Sequence, residues 1–399
     1  MRILMLSNEY PPNIVGGLGR HVEALAPALA ACDVEVHLVT YRGQEGEPKE
    51  VVAPNLIVYR VNTPEGNVGA PLSDTQAANW ELVQFSEMLG PQVGGFDLIH
   101  VHDWLVAFAG IRLKHLWRIP LLATIHASER GRHQGELYSE LSRAINDVED
   151  ELCQEAWRVI VTSYYMAHEI VTYFGEPYDK IDVVPNAVSV AAFDAYDGND
   201  LRAFRRRYVA DDEFLVFHVG RIVYEKGLHI LVEAAPTILA QMPGVKFVIA
   251  GKGPMVDELR LLARRLGVGD QFYFTGRIDD LERDRLYKVA DVAVFPSLYE
   301  PFGIVALEAM AARVPVVVSS VGGLTEVVEN HVTGITALPG HAGSLAWAIL
   351  HTLSHPEWAA ARVENAYRRV LEHYSWEAIA TQTRDIYARV IEERRHTDW

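Results

Sequence analysis

The segment around Glu300 carries the sharpest chemical pattern in the chain. Glu300 follows the apolar run Val292–Phe295, and Pro301 directly after it favours a helix that starts immediately afterwards. The first amides of a helix have no partner inside the helix and attract negative charge, so they can bind a phosphate group. Here those amides would belong to Phe302, Gly303 and Ile304. One loop is therefore predicted to hold both a carboxylate and a phosphate site.

Glu308 follows Glu300 with seven residues between them. It falls two turns into an otherwise apolar helix, where an unpaired carboxylate is costly to bury. Glu308 therefore needs partners. Ribose hydroxyls would serve, and the alternative is a salt bridge to a neighbouring helix of the same domain.

Two cations follow the apolar run Phe214–Val219. Arg221 comes first, and Lys226 stands five residues later beside Gly227, where a helix is predicted to begin. A planar guanidinium and a mobile ammonium suit a diphosphate, and parallel α/β sheets bind ligands outside the carboxyl ends of their strands. The alternative is a solvated, charged turn that binds no ligand.

A glycine loop follows the first apolar run of the chain. Gly16 and Gly17 precede a helical segment, so the backbone there could approach a phosphate closely. The loop lacks the GxGxxG spacing, and the second strand ends at Val39–Tyr41 without an acid to bind an NAD ribose. Dinucleotide binding is thus disfavoured, and the loop is either an anion site or a tight strand-to-helix turn.

Histidines end two further apolar runs. One run ends in His100, His102 and Asp103, and the other ends in His126. Zinc could bind such a set, but no cysteine and no HExxH-type spacing supports a metal, and these side chains are equally suited to hydrogen-bonding a sugar. We predict that none of these residues is a metal ligand.

The elements that position these residues alternate between short, continuously apolar runs and segments of helical period. That pattern predicts strands covered on both faces, as in doubly wound parallel sheets. It restarts after the polar stretch Asp194–Asp200, so we predict two domains, residues 1–190 and 191–375, with a hinge near Pro185–Val188. A last helical segment, about residues 376–399, could pack back on the first domain.

Composition restricts the partners and the location. The chain has 399 residues and a formal net charge of −17, which disfavours nucleic acid as a partner. The two cysteines have no CxxC spacing, which fits a reducing, cytoplasmic location. No apolar run approaches the roughly 20 residues of a transmembrane helix. The sequence does not predict an oligomeric state.

These motifs together resemble the retaining GT-B glycosyltransferases, a family that includes glycogen and starch synthases, sucrose-phosphate synthases and phosphatidylinositol mannosyltransferases. The resemblance covers nearly the whole chain. It implies two Rossmann-like domains that face a deep cleft, transfer without a metal or other cofactor, and retention of anomeric configuration without a covalent intermediate. The positions that carry it are Pro11–Pro12, Gly16–Gly17, Arg221, Lys226, Gly251–Pro254, Glu300, Glu308 and Gly322–Gly323.

The resemblance also implies a role for each matching residue. Arg221 and Lys226 would bind the donor diphosphate, with the backbone at Gly17 adding donors from the other domain. Glu300 would contact the donor sugar and Glu308 the ribose. The remaining donor-side positions are Gly251, beside the nucleotide, Arg277 and Ile278, near the base, and His126, at the donor sugar.

Among these families, the motifs are most similar to those of bacterial and archaeal glycogen synthases. The residues implied on the acceptor side are His102, Asp103, Trp104 and Gln134. This predicts transfer of glucose from ADP-glucose or UDP-glucose to an α-glucan. Two alternatives remain open: transfer to a small sugar, sugar phosphate or lipid, or a nucleotide-sugar-binding protein or epimerase without transfer. A membrane-acting enzyme would use a basic cluster on one helix, Arg112, Lys114, His115, Trp117 and Arg118.

Overall fold

The protein is described here by a computed structural model that covers residues 1–43, 46–63, 72–193 and 198–397. The chain divides into two compact units. The first unit comprises Met1–Asn186 and Trp376–Trp399, and the second comprises Ala187–Ser375. The division after Asn186 lies four residues before the predicted boundary at residue 190. Much of the polar stretch predicted to separate the domains, residues 194–197, lies outside the described residues, as do residues 398–399 of the last segment.

Within the described residues, the first unit contains one eight-stranded sheet in the order β3-β4-β2-β1-β5-β6-β7-β8. All neighbouring strands are parallel except β3, which is antiparallel to β4. The strands are β1 (Arg2–Leu6), β2 (Glu35–Arg42), β3 (Lys49–Ala53), β4 (Leu56–Asn62), β5 (Leu98–His102), β6 (Leu121–Ile125), β7 (Arg158–Val161) and β8 (Ile181–Val183).

Seven helices of the described chain belong to this unit, with short 3₁₀ turns between some elements. They are α1 (Gly17–Ala31), α2 (Leu72–Val93), α3 (Ala107–Trp117), α4 (Glu129–Arg132), α5 (Glu140–Glu155), α6 (Tyr164–Phe174) and α15 (Trp376–Arg395). The last of these begins at the predicted residue and packs against α1. The hydroxyl of Tyr387 on α15 lies 2.7 Å from His100 Nδ1, so the C-terminal helix reaches the central strands of the first sheet.

The second unit contains, among described residues, a six-stranded parallel sheet in the order β11-β10-β9-β12-β13-β14. Its strands are β9 (Phe214–Val219), β10 (Val245–Ala250), β11 (Phe272–Gly276), β12 (Val292–Phe295), β13 (Val316–Ser319) and β14 (Ile335–Ala337). Its helices are α7 (Gly198–Arg205), α8 (Leu228–Gln241), α9 (Val256–Arg265), α10 (Asp280–Val289), α11 (Ile304–Ala311), α12 (Leu324–Val327), α13 (Ala342–Ser354) and α14 (Pro356–His373).

Both sheets confirm the prediction of parallel, doubly wound α/β units. The central strands are apolar and buried throughout; Ile3–Leu6 of β1 and Val292–Phe295 of β12 are at most 1% exposed. Strands buried on both faces gain the free energy of apolar burial on each side, which is why their sequence is continuous rather than alternating. The strand order of the second unit, renumbered from its first strand, is 3-2-1-4-5-6, the doubly wound order of dinucleotide-binding folds.

This order creates a switch point in each sheet. In the first unit, β1 lies between β2 and β5, and in the second unit β9 lies between β10 and β12. Connections therefore leave in opposite directions from these central strands, and a crevice opens between the loops at their carboxyl ends. The loop after β9 contains Arg221 and Lys226, and the loop after β12 contains Glu300. The predicted charged residues of the second unit thus meet at its switch point.

A glycine permits these two loops to touch. Gly227 has a φ of +66°, and a Cβ added to it would lie 1.9 Å from the carbonyl oxygen of Pro296. The amide of Leu298 also donates a hydrogen bond to the carbonyl oxygen of Glu225 at 2.8 Å. The loop after β9 is therefore held directly against the loop after β12, and residue 227 has no room for a side chain.

Among the described residues, none of the helices combines the length and the apolarity needed to span a lipid bilayer.

We expect Gly227→Ala to destabilise the protein more than Gly267→Ala. Gly267 also has a positive φ, +73°, but a Cβ there would meet no atom within 4 Å. Gly267→Ala should therefore cost only the backbone strain, about 1–2 kcal/mol, whereas Gly227→Ala should add about 1–3 kcal/mol of overpacking against Pro296. Thermal unfolding of both variants and the wild type measures the difference. Equal losses of Tm would show that the two loops are not in the close contact described.

Candidate functional site

The switch point of the second unit holds an ion pair. Lys226 Nζ donates a hydrogen bond to Glu300 Oε2 at 2.7 Å, and Ser297 Oγ donates to the same oxygen at 3.2 Å. The side chains of Lys226 and Glu300 are only 19% and 9% exposed. An ammonium has three donors and a carboxylate has about four acceptor positions, so both groups keep capacity for a ligand. The structure thus brings two of the predicted catalytic residues together.

Arg221 lies in the same loop as Lys226 but is more exposed. Its Nη2 lies 3.3 Å from Glu225 Oε1, and 48% of its side chain is accessible to solvent. A guanidinium in this position can turn towards an anion at little cost, because an exposed ion pair is worth only about 0.2–1 kcal/mol. Arg221 therefore remains available to a diphosphate.

The helix after Glu300 begins later than predicted. The helix was expected to begin directly after Pro301, but α11 begins at Ile304 with Gly303 as its N-cap. Gly303 has a φ of +106°, which a right-handed helix cannot contain, and a Cβ there would lie 2.6 Å from Leu324 Cδ2. Phe302 is 5% exposed and packs in the core. The first turn of α11 consequently offers the amides of Ile304 and the residues after it, while Phe302 and Gly303 belong to the approach to the helix.

Glu308 has protein partners in the second unit. Tyr287 donates its hydroxyl to Glu308 Oε2 at 2.9 Å, and Arg283 Nη1 lies 3.6 Å from Glu308 Oε1. Burial lowers the pKa of Arg283, but the charges of Glu308 and Asp284 more than offset it, so the net pKa is raised. The salt bridge to a neighbouring helix, one of the two alternatives for Glu308, is present. Ribose binding by Glu308 stays a prediction.

The loops after β10 and β11 are held together by glycines. The amide of Gly251 donates to the carbonyl oxygen of Gly276 at 2.8 Å, and Gly251 has a φ of +140°. A Cβ on Gly251 would lie 1.8 Å from the carbonyl oxygen of Gly220, so the loop after β9 packs there as well. Beyond Gly276, Arg277 is exposed and Ile278 packs partly against the core. Contact of Arg277 and Ile278 with the nucleotide base stays a prediction.

In the first unit, the glycine loop already binds a carboxylate. Glu9 Oε2 accepts hydrogen bonds from the amides of Val15 at 2.9 Å and Gly16 at 3.1 Å. A Cβ on Gly19 would lie 2.6 Å from the same oxygen, so the small residue makes room for Glu9. Helix α1 begins at Gly17 with no side-chain cap. The amides of Val15 and Gly16 thus have Glu9 as their partner in this structure, and phosphate binding by the loop stays a prediction.

Imidazoles cluster at the carboxyl ends of β5 and β6. His102 Nδ1 lies 3.1 Å from His126 Nε2, and the ring of His21 on α1 lies 4.7 Å from the ring of His126 between centroids. His100 is held on both sides, by Tyr387 Oη at 2.7 Å and by Thr124 Oγ1 at 2.7 Å. The structure thus adds His21 to the predicted histidines and binds His100 into the core.

Two nitrogens of this cluster lack partners among the described residues. They are His21 Nε2 and His102 Nε2, in residues that are 2% and 0% exposed. Burial lowers the pKa of His21 and of His126 to about 3, and the pKa of His102 far below its usual value, so all three rings are neutral near pH 7. An unsatisfied buried polar atom costs about 1–3 kcal/mol. Buried nitrogens without a partner are therefore typical of a site that binds a ligand.

Asp103 positions the backbone of His126. Its Oδ1 accepts a hydrogen bond from the His126 amide at 2.6 Å, and its own φ of +62° is unusual for a residue with a side chain. Burial raises the pKa of Asp103 to about 6, against the lowering effects of that hydrogen bond and of Arg132. Trp104, predicted on the acceptor side, is 7% exposed and packs in the core. Gln134 is exposed in the loop after α4.

The basic cluster on α3 is largely paired. Lys114 Nζ lies 2.6 Å and His115 Nε2 lies 2.8 Å from Glu155 Oε2, and Arg112 lies 4.7 Å above the ring of Trp80. One carboxylate thus faces two of the cationic positions that a membrane surface would require. This arrangement does not favour the membrane-acting alternative.

Sequence reasoning missed two residues of these sites, His21 and Glu9. His21 occupies the buried stripe of α1, about one turn before Leu25. A polar residue at a position where the period requires an apolar one signals a specific environment. Glu9 gave no comparable signal, because its contact with Val15 and Gly16 depends on how the loop folds back.

Glu149 on α5 is a further buried acid, and it lies near Asp103. It is 1% exposed, and both of its oxygens accept a hydrogen bond from the amide of Glu129, at 2.9 and 3.0 Å. Burial raises its pKa to about 8, while the Glu129 amide and Arg132 act in the opposite direction. Folding therefore favours the protonated form of this carboxyl.

Two family models match the chain one after the other. The model described as Glycosyltransferase Family 4 matches residues 15–192, and the model described as Glycosyl transferases group 1 matches residues 201–369. An uncharacterized glycosyltransferase of Methanocaldococcus jannaschii is 40% identical, over 97% of this chain and 98% of the relative. A glycogen synthase of Mycobacterium tuberculosis is 37% identical, over 97% of this chain and 94% of the relative.

A solved structure agrees over the same extent. Sucrose-phosphate synthase from Thermosynechococcus elongatus superposes with a TM-score of 0.84 and is 29% identical, covering 98% of this chain and 99% of that one. The sequence identities and the superposition span both units of the chain rather than one.

We expect Glu149→Gln to stabilise the protein increasingly as pH rises. A carboxyl whose pKa is raised by folding gives its full stabilisation below the unfolded pKa, about 4.5, and loses it as pH rises through the folded pKa of about 8. The glutamine cannot ionise, so the gain relative to wild type should be small at pH 5 and on the order of a few kcal/mol at pH 8.5. Tm measured across this range tests it.

Glu151→Gln is the matched control, because Glu151 lies on the same helix and is exposed. This substitution removes one negative charge from an exposed position, so the Tm of the variant should follow that of the wild type across the pH range. Parallel pH profiles for wild type and Glu149→Gln would contradict the interpretation.

Proposed function

The chain belongs to the GT-B glycosyltransferases, in group 1 of the glycosyl transferases, and from that premise we propose that it transfers glucose from ADP-glucose or UDP-glucose to an α-glucan, with retention of configuration. The observation that carries the proposal is the Lys226–Glu300 ion pair at the switch point of the second unit. In the proposed complex, the cation would bind a phosphate and the neighbouring carboxylate would bind sugar hydroxyls. A nucleotide sugar needs both groups within a few ångströms.

In this proposal, Lys226 and Arg221 bind the diphosphate of the donor. Lys226 uses one ammonium proton on Glu300 and keeps the others for phosphate oxygens. Negative charge grows on the leaving phosphate during transfer, so preorganised cations stabilise the transition state more than the ground state. The amides at the start of α11 add donors to the same anion.

Glu300 binds hydroxyl groups of the donor sugar. Its Oε2 is occupied by Lys226 and Ser297, which fixes the carboxylate in one orientation and leaves Oε1 to accept from a sugar. The Gly323 amide donates to the backbone carbonyl of Glu300 at 2.9 Å and so holds the main chain. A carboxylate fixed in this way can discriminate among sugars by the positions of their hydroxyls.

The reaction requires no carboxylate nucleophile under this proposal. The acceptor hydroxyl attacks the sugar carbon on the face that the diphosphate leaves, and a phosphate oxygen takes the proton. Arg221 and Lys226 provide the charge stabilisation without a metal ion. Transfer should accordingly proceed in the presence of EDTA.

Residues of the first unit would bind the sugars. His126 is partly exposed at the end of β6, with its amide fixed by Asp103, and it can offer a ring nitrogen or its backbone to a donor hydroxyl. His102 and Gln134 are the further acceptor-side candidates. The glucan as acceptor is supported by the 37% identity to a glycogen synthase. A cytoplasmic location is part of the proposal and is supported by the two free cysteines.

A second candidate acceptor is a sugar phosphate. The 29% identity and the TM-score of 0.84 to a sucrose-phosphate synthase favour it specifically. The donor half of the proposal is unchanged in that case. Membership of a glycosyltransferase family favours transfer over the alternatives of a silent binding protein or an epimerase.

A donor-by-acceptor screen tests the proposal. The full chain is incubated with ADP-glucose, UDP-glucose or GDP-glucose, with glycogen, maltooligosaccharides or hexose phosphates, in buffer with EDTA, and release of nucleoside diphosphate is measured. We expect release that depends on a glucan and a product with α linkages by NMR. Turnover with hexose phosphates alone would support the second candidate, and no turnover with any glucan would remove the glucan acceptor.

Variants of the ion pair test the assigned roles. We expect Lys226→Gln and Glu300→Gln each to lower kcat/KM by about 10²–10³-fold, because each removes a group aimed at the reacting centre. Lys246→Gln is the control: it removes a lysine of the same unit that pairs with Gln271 and Glu213. Its kcat/KM should stay within about twofold of the wild-type value. Full activity of Lys226→Gln would contradict the proposed mechanism.

A further inference from the structure

Three buried imidazoles of the first unit lie close enough together to share one ion. One ring nitrogen from each of His21, His102 and His126 lies within 4.8 Å of the other two. A tetrahedral zinc site with bonds of about 2.0–2.1 Å puts its ligand nitrogens roughly 3.3 Å apart. His102 Nδ1 and His126 Nε2 form a hydrogen bond at 3.1 Å, near that value, and a metal ion would replace the proton between them. The remaining separations require side-chain movement of roughly 1.5 Å at most.

The hydrogen bond of His21 prepares it to be a ligand. His21 Nδ1 lies 2.6 Å from Asn186 Oδ1, and because an amide oxygen only accepts, His21 must carry its proton on Nδ1. The lone pair is then on Nε2, which is buried and has no partner among the described residues. Metal-binding histidines typically donate their second nitrogen to an oxygen in this way, which fixes the tautomer and the ring orientation.

The other two rings are fixed by the sheet. His102 is the last residue of β5, and it pairs in register with Thr124 of the adjacent strand β6, two residues before His126. The amide of His126 is held by Asp103 at 2.6 Å. Ligands carried on strands are positioned more accurately than ligands on loops.

We propose that His21, His102 and His126 form a binding site for a divalent transition-metal ion of the zinc class. Three neutral imidazoles without a carboxylate oxygen favour Zn²⁺, Cu²⁺ or Ni²⁺ over Mg²⁺ or Ca²⁺. Three histidine ligands leave the fourth position of a tetrahedral ion to water or a hydroxyl group.

The structure also shows why the ligand set differs from the one that the sequence suggested. His100 uses both nitrogens on Tyr387 and Thr124, and Asp103 uses Oδ1 on the His126 amide. His21, from a helix instead of a strand end, supplies the third imidazole. The proposal departs from the sequence prediction, which placed no metal ion on His102 or His126.

Inhibition is the functional consequence, and it rests on the proposed function. A metal on His126 removes that ring from the sugar that it is proposed to contact. Zn²⁺ should therefore inhibit the wild-type enzyme, and EDTA should restore activity.

Direct binding tests the site without reference to activity. Zn²⁺ is titrated calorimetrically into the metal-free full chain, and Co²⁺ is added separately to record visible absorption. We expect one tight equivalent of Zn²⁺, the intense d–d bands of four-coordinate Co²⁺, and a Tm that rises with Zn²⁺ and falls again with EDTA.

Two variants locate the site. Asn186→Ala keeps all three ligands and removes only the hydrogen bond that orients His21, so the Zn²⁺ affinity should fall about 10–100-fold. His21→Gln removes a ligand and should reduce the affinity further. If His21→Gln lowers the Tm in the absence of metal, its loss of affinity could reflect a damaged fold. In that case the Zn²⁺ affinity of Asn186→Ala decides whether the site is correct.

A control variant tests whether zinc binds to histidines at the surface instead. His351 lies in a partly exposed group of rings with Trp347 and His355, and its two histidines could also bind zinc. His351→Gln should leave the tight equivalent unchanged. Loss of that equivalent in His351→Gln, its retention in His21→Gln, or the absence of stoichiometric binding would each overturn the proposal. If the protein binds Zn²⁺ as expected but shows no turnover with any donor and acceptor, the proposed function is refuted and the metal-site proposal is still supported.

Discussion

The arrangement of the second unit depends on bringing opposite charges together at the edge of a parallel sheet. Lys226 and Glu300 are 74 residues apart in sequence, yet their side chains lie 2.7 Å apart because β9 and β12 are neighbours at the point where the strand order reverses. A buried charge is tolerated only when it is paired and hydrogen-bonded, so each residue requires the other. The glycine at 227, which allows the loops to touch, and Ser297, which shares the carboxylate, both serve this contact. Removing either charge would leave an unpaired ion in a poorly solvated crevice.

The first unit has the same topology at its switch point but a different chemistry. Its crevice edge carries neutral imidazoles and a carboxyl that burial makes easier to protonate, where the second unit carries full charges. Neutral donors and acceptors suit hydroxyl groups, whereas ammonium and guanidinium groups suit phosphate. Under the proposed function, the same doubly wound sheet would support sugar recognition in one unit and charge stabilisation in the other, and this difference would follow from side chains on the loops rather than from the fold. Under the metal-site proposal, the unpartnered Nε2 of His21 supplies one of the ligand atoms.

Much of the fold could be predicted because the central strands are continuously apolar. The strands β9 and β12 were predicted with their observed bounds. The strands β3, β4 and β14 were missed: β3 is mostly exposed at the sheet edge, β4 includes the buried Arg60, and β14 has only three residues. Helix α11 was predicted two residues early, because Pro301 is compatible with a helix start and only the left-handed backbone of Gly303 rules it out. Edges and helix starts depend on tertiary contacts, which a periodic pattern does not contain.

The sequence by itself determined the class of fold and the residue types available for chemistry, since both follow from hydrophobic period and from the position of polar residues after strands. It also determined that Glu308 needs a partner, because an acid in an apolar helix cannot remain alone. Only the tertiary structure decided which partners are used: Tyr287 and Arg283 for Glu308, Glu9 for the glycine loop, and His21 for the imidazole cluster. These contacts join residues from separate elements, and their geometry depends on how the helices and loops pack on the sheet. The spacing of residues in the sequence shows which side chains are available, whereas the packing of helices and loops on the sheet determines which residues they contact.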